Sequence, residues 1–169
     1  EMYDAKKKEY VFRGEGRTYT SAELLKRYLA WQEVYPFVSI EDPFAEDDWK
    51  AWSASIPTLG KKSVIVGDDF LVTNVKRLER AIREKAANAI LIKVNQIGTV
   101  SEAVDAICMA HEAGWKTSIS HRSGETSDTF IADLAVASGS EYIKTGSLSR
   151  SERVEKYNRL MEIEEEMKV

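Results

Sequence analysis

Short apolar runs recur along the chain, and each ends in an ionisable side chain. Val38-Ser39-Ile40 leads into Glu41, Val64-Ile65-Val66-Gly67 into Asp68, Ile90-Leu91-Ile92 into Lys93, Ser118-Ile119-Ser120 into His121, and Tyr142-Ile143 into Lys144. These polar positions return about every 25 residues, a length that fits a strand, a helix and two short connections. The runs lack a clean apolar–polar alternation, as expected of parallel strands covered on both sides. They predict strands at 37–41, 63–67, 89–93, 116–120 and 141–144.

The segments between them carry helical spacing. Thr20-Ser21 followed by Glu23 opens a helix with Leu24, Leu25, Tyr28, Leu29 and Trp31, running to about Val34 and stopped by Pro36. Trp49, Trp52 and Ile56 mark a short helix with its aromatic side inward. Asn74 caps a helix over 75–86, Thr99 or Ser101 caps one over 101–113 that Gly114 ends, and further helices cover 127–138 and about 150 onward. Residues 1–19 are polar, broken by Gly14 and Gly16, and read mainly as a loop with at most a short extended piece at Tyr10-Val11-Phe12. The result is a series of β-strand–α-helix units with one polar group at the C-terminal end of every strand. In (β/α)₈ barrels the chemistry sits at that end. A complete barrel takes roughly 200 residues or more, and this chain has 169, so five units mean either a smaller open α/β protein or part of a larger barrel.

Composition narrows the partners. Apolar residues at 43% and charged residues at 31% are ordinary for a globular domain. A formal charge of −4 and a pI near 5.4 argue against a nucleic-acid or anionic-membrane partner. No apolar stretch approaches a membrane span, and nothing resembles a signal peptide. Cys108 is the sole cysteine, excludes an internal disulfide, and is expected as a packed thiol inside a helix; a reducing, cytoplasmic setting fits.

The strand-end residues suggest specific chemistry. Glu41 and Asp68, on successive strands, can converge on one point, and oxygen ligands with open positions suit Mg²⁺. The plainer alternative is that each pairs with a Lys or Arg or caps the next helix. Asp42 and Asp69 add negative charge, and by alternation only one residue of each adjacent pair should face the site. Lys93 projects from a buried run, either as a general base influenced by its neighbour Lys144 or as the salt-bridge partner of Asp68. The loop His121-Arg122-Ser123-Gly124-Glu125-Thr126 combines guanidinium, hydroxyls and glycine, a set that suits phosphate or carboxylate. His111 reads as a surface or packed histidine, and Trp49, Trp52 and Trp115 as core or interface aromatics.

Five segments together are recognisable. Ser39-Ile40-Glu41-Asp42-Pro43-Phe44, Gly67-Asp68-Asp69 with Val72-Thr73-Asn74, Leu91 through Gly98, Ser120 through Thr126, and Ile143-Lys144-Thr145-Gly146 followed by Ser149-Arg150-Ser151-Glu152-Arg153 resemble the enolase family, in order and spacing, over nearly the whole chain. The resemblance implies an α/β fold, a partial TIM-type (β/α) barrel of about five parallel βα units, with residues 1–169 forming the C-terminal portion of the catalytic barrel domain. It implies Mg²⁺-dependent, reversible dehydration of 2-phosphoglycerate to phosphoenolpyruvate. By position, Glu41 and Asp68 resemble two of three magnesium carboxylates, Lys93 the base that removes the C2 proton, and Lys144 the group facing the substrate carboxylate. Arg122 and Ser123 resemble phosphate contacts, Ser123 also assisting a second magnesium, and His121 borders the substrate. The family's N-terminal domain, first barrel strands, third metal carboxylate and general acid have no counterpart here.

Two outcomes follow: an enolase completed by residues outside this chain, or a non-catalytic enolase-derived fragment acting as a binding or structural module. The edge strands, expected at 37–41 and 141–144, would carry unpaired backbone groups, and a homo-oligomer or association with the missing part of the fold would cover them.

Overall fold

The computed structural model describes residues 2–168. It opens with a three-stranded antiparallel meander, β1 (Tyr3–Asp4), β2 (Glu9–Phe12) and β3 (Arg17–Tyr19), where the sequence pattern predicted mainly a loop. Strands of two to four residues are too short to display alternation, and cross-strand aromatics hold them instead. The rings of Tyr3 and Tyr10 lie 4.9 Å apart and those of Phe12 and Tyr19 5.1 Å apart. Gly16, at φ +61°, makes the left-handed turn into β3.

Helix α1 (Ser21–Val34) begins with the expected capping box: the Glu23 N–H donates to Thr20 Oγ1 (3.3 Å) and the Thr20 N–H to Glu23 Oε2 (2.8 Å). Five βα units follow. The strands are β4 (Ser39–Glu41), β5 (Val64–Gly67), β6 (Ala89–Ile92), β7 (Lys116–Ser120) and β8 (Tyr142–Lys144). Helices α2 (Trp49–Ser55), α3 (Val75–Glu84), α4 (Val94–Ile97), α5 (Val100–Glu112), α6 (Phe130–Ala137) and α7 (Ser151–Glu166) connect and follow them. Asn74 and Thr99 cap α3 and α5 as the sequence predicts. The strands pair in parallel in sequential order, with β4 and β8 at the edges.

Register separates two faces. Ile65, Ile90, Ile92 and Ile119 pack in the main core beneath the helices, whereas Val66, Ala89 and Leu91 form a second cluster against Val64. This second cluster lies on the concave face, because the sheet curls strongly. Four inter-strand steps make an arc of roughly 19 Å. Yet Glu41 and Lys144, at opposite edges, form an ion pair at 2.6 Å, so extended side chains place their Cα atoms at most about 14 Å apart. The sheet is a half-barrel, a partial TIM barrel.

Gly67 shows how tightly the helix side is filled. A Cβ there would lie 2.7 Å from Leu71 Cδ1 and 3.2 Å from Phe70 Cδ1. Gly67→Ala is expected to cost about 1–3 kcal/mol, read as a lower urea midpoint with unchanged m-value; an unchanged midpoint would show that this turn yields freely.

Cys108 departs from expectation. It is exposed on α5, because Ala103, Ala106, Ile107 and Ala110 form the buried stripe and position 108 falls outside it. Trp52 and Trp115 are buried. His111 is half-buried, its Nε2 3.0 Å from Thr117 Oγ1. Among the described residues no helix is long and apolar enough to cross a membrane.

Candidate active site

Backbone pairing assigns the strand-end side chains to faces. Glu41 pairs with Val66, and Lys144 with Ser120, which shares the parity of Leu91 through the pairing of Ser118. Asp68 and Lys93 lie two residues beyond Val66 and Leu91 and inherit the same face. Glu41, Asp68, Lys93 and Lys144 therefore share the concave side. His121 has the opposite parity; Ser120 occupies the inward position, and the His121 N–H donates to Lys144 O at 2.9 Å.

Lys93 is ion-paired with Asp68. Its Nζ donates to Oδ2 at 2.7 Å and lies 2.6 Å from Oδ1, which is buried and accepts no directed hydrogen bond. The two side chains are 14% and 10% exposed, which makes this a largely desolvated pair. Lys144 and Glu41 are more exposed, at 43% and 36%, so that pair contributes only about 0–1 kcal/mol.

Two residues outside the expected site hold this arrangement. Thr73 sits in the turn after β5, where both Val72 (φ +47°) and Thr73 (φ +55°) adopt left-handed conformations. For β-branched residues this costs about 1–3 kcal/mol each. The turn places the Thr73 hydroxyl to accept the Lys93 N–H at 2.9 Å and donate to Leu91 O at 3.3 Å, fixing the backbone from which Lys93 projects. Asp42, also left-handed at φ +44°, accepts the N–H groups of Asp68 (2.9 Å) and Asp69 (2.8 Å). The carboxylates of Asp42, Asp68 and Asp69 lie within 4.8 Å of one another. Glu41, expected beside Asp68, is held by Lys144 instead.

Burial pushes the Asp42 carboxyl up to about 6, assisted by the charges of Asp68 and Asp69 and opposed by the two N–H bonds. Folded Asp42 thus holds its proton more tightly than the unfolded chain does. Its contribution to stability is fully present below the unfolded value of 3.8 and is lost as pH rises through about 6. Without divalent cations, the stability of the native chain relative to Asp42→Asn should therefore fall between pH 4 and pH 7. Chemical unfolding at each pH reads this; a flat difference would contradict it.

The loop after β7 is braced from behind. Arg122 Nη1 donates to Asn95 Oδ1 at 3.0 Å. On α7, Arg153 Nη1 donates to His121 Nδ1 (2.6 Å) and Arg122 O (2.9 Å), and Nη2 to Ser123 O (3.2 Å). The His121 imidazole is held below its ordinary value by burial first, then by Arg153 and Lys144, against Glu125 and the Thr145 backbone. Sequence reading missed Lys156, which joins Arg153 on this helix. The available signal was the stripe Arg153, Lys156, Leu160, Ile163 at helical spacing.

The concave side of the half-barrel thus carries Asp68 with the half-buried Lys93 and Glu41 with Lys144, Asp42 and Asp69 stand next to Asp68, and a braced polar loop follows β7. The family model for the enolase C-terminal TIM barrel domain matches residues 1–169. The chain belongs to the enolase family. A curated relative, Enolase 1 of Methanospirillum hungatei JF-1, is 56% identical over 158 residues. The alignment covers 94% of this chain and 37% of that enolase, so the chain spans little more than a third of the relative's length.

Proposed function

We propose that this chain supplies the metal, base and phosphate side of an enolase site for the reversible dehydration of 2-phosphoglycerate to phosphoenolpyruvate. The observation that carries this is the buried Asp68–Lys93 pair beside a cluster of carboxylates, on the face that also presents Lys144. The reaction removes a weakly acidic proton from C2 and hydroxide from C3. Lys93 Nζ, released from Asp68 and having given up its own proton to solvent, would accept the C2 proton as the neutral amine. Lys144 faces the substrate carboxylate, Arg122 and Ser123 contact the phosphate, and His121 borders the substrate.

The donor set fits Mg²⁺ in kind, being hard carboxylate oxygens that include the buried Asp68 Oδ1 without a directed hydrogen bond; the carboxylates that lie together are Asp42, Asp68 and Asp69, with Glu41 outside that group. Glu41 and Asp68 would hold the ion, which supplies positive charge opposite the carbanionic carboxylate of the intermediate. In the structure these carboxylates are held by Lys144 and Lys93. Ligating a cation and holding the ammonium groups are therefore alternatives, and the same exchange makes both lysines available to substrate.

We place the general acid and the third metal carboxylate outside these 169 residues. Loss of general acid catalysis alone lowers rates by roughly 10²–10⁴-fold. The 169 residues by themselves, given Mg²⁺ and 2-phosphoglycerate, should therefore form little or no phosphoenolpyruvate; turnover near that of complete enolases would overturn this division. A second reading, a non-catalytic module, is favoured by the two ion pairs, in which Lys93 and Lys144 satisfy the same carboxylates that would hold the metal. Calorimetric titration with Mg²⁺ and phosphoenolpyruvate separates the two, because a module that has lost the site binds neither. Association through the edges β4 and β8 belongs to the proposal, and a stable monomer in sedimentation across concentrations would count against it.

A further inference from the structure

Two cations on α7 lie buried behind the His121–Thr126 loop, and the reaction outlined above uses neither. Arg153 is 9% exposed and Lys156 fully buried. Lysine is rarely enclosed unless its ammonium is satisfied, and here Nζ donates to Thr126 O and to Glu152 O (2.7 Å), with Glu125 Oε1 at 4.0 Å. Arg153 spreads its donors over His121 Nδ1 and the carbonyls of Arg122 and Ser123. Gly146 leaves the space it needs: a Cβ there would lie 3.0 Å from Arg153 Cδ and 3.3 Å from His121 Cε1.

Two chemical consequences follow. A guanidinium only donates, so Nδ1 of His121 must accept and the ring proton must sit on Nε2. In a trans peptide the C=O and the following N–H point in opposite directions. Carbonyls of Arg122 and Ser123 turned toward α7 therefore turn the N–H groups of Ser123 and Gly124 away from it. Neither N–H has a backbone partner among the described residues, and successive N–H groups of this kind make an anion-binding concavity.

We propose that Arg153 and Lys156 are positioning residues: Arg153 locks His121 as its Nε2–H tautomer, and the two cations together hold the loop carbonyls back so that its donors face an anionic substrate. The substrate part rests on the enolase reading of the site; the tautomer and the bracing do not.

Nitrogen NMR of the histidines in the full chain tests this directly. There are only two, His111 and His121, so a His111→Gln sample assigns the second. The wild-type protein should show His121 Nδ1 unprotonated and Nε2 protonated at neutral pH, and Arg153→Met should give a mixture that Arg153→Lys partly restores. An Nδ1–H form in the wild type, or a pure Nε2–H form in Arg153→Met, overturns the role of Arg153. For Lys156→Met, amide exchange over 122–127 should rise at least about tenfold while β6 and β7 keep their protection. Unchanged loop exchange, or an equal rise in β6 and β7, overturns the role of Lys156. An intact tautomer and loop that still bind no inorganic phosphate would instead count against the enolase reading alone.

Discussion

With Lys93 as the proposed base, Lys93→Met is expected to lower the proposed dehydration by a complete enzyme containing this barrel roughly 10²- to 10⁴-fold, the usual contribution of a positioned base. Exchange of the C2 proton of 2-phosphoglycerate with solvent deuterium should disappear with it. The same change leaves Asp68, 10% exposed at its side chain, as an uncompensated buried charge, which typically costs about 3–5 kcal/mol. A structural loss could therefore imitate a catalytic one. Lys93→Met combined with Asp68→Asn separates them: two neutral side chains of similar shape should recover most of the stability and none of the exchange. Retention of turnover within tenfold of the parent in Lys93→Met would remove Lys93 from the role of base.

Trp52→Ala is expected to cost about 3–5 kcal/mol, a large part of the roughly 5–15 kcal/mol that holds a domain folded. Trp52 is fully buried, stacks on Phe70 with centroids 4.0 Å apart and planes 9° from parallel, and donates from Nε1 to Ala45 O at 3.0 Å. Alanine would remove the stack, open a cavity and strand that carbonyl. The damage should reach the site, because Phe70 belongs to the turn carrying Asp68, Asp69 and Thr73. Urea unfolding measures the loss, and faster amide exchange at 68–74 would mark its spread. A cost below about 1 kcal/mol would mean that this layer is not closely packed.

The parallel strands and helix caps were legible because their signals are local. Thr20 reaches Glu23, and Thr99 reaches Glu102, within one turn of helix, and an apolar run names a buried strand wherever it pairs. The strand-end residues were legible for the same reason. The meander was legible only at Tyr10-Val11-Phe12, which lies within β2, because strands of two to four residues span at most two periods of alternation. Asp42 and Thr73 were not legible as supports, since each acts through a left-handed backbone that no glycine announces. Arg153 and Lys156 reach partners about thirty positions away, and only the folded helix reveals which carbonyls they meet. Cys108 was misjudged because apolar neighbours in sequence are not neighbours on a helix face.

The sequential order of β4 to β8 also bears on how the chain acquires its shape. Each strand pairs with the strand next in the chain, so the sheet can extend unit by unit, in the direction of synthesis, without waiting for a distant segment. The Glu41–Lys144 contact is the exception, joining residues 103 positions apart. Its geometry depends on the curl accumulated over every strand between them, so it reports on the whole half-barrel rather than on any one βα unit.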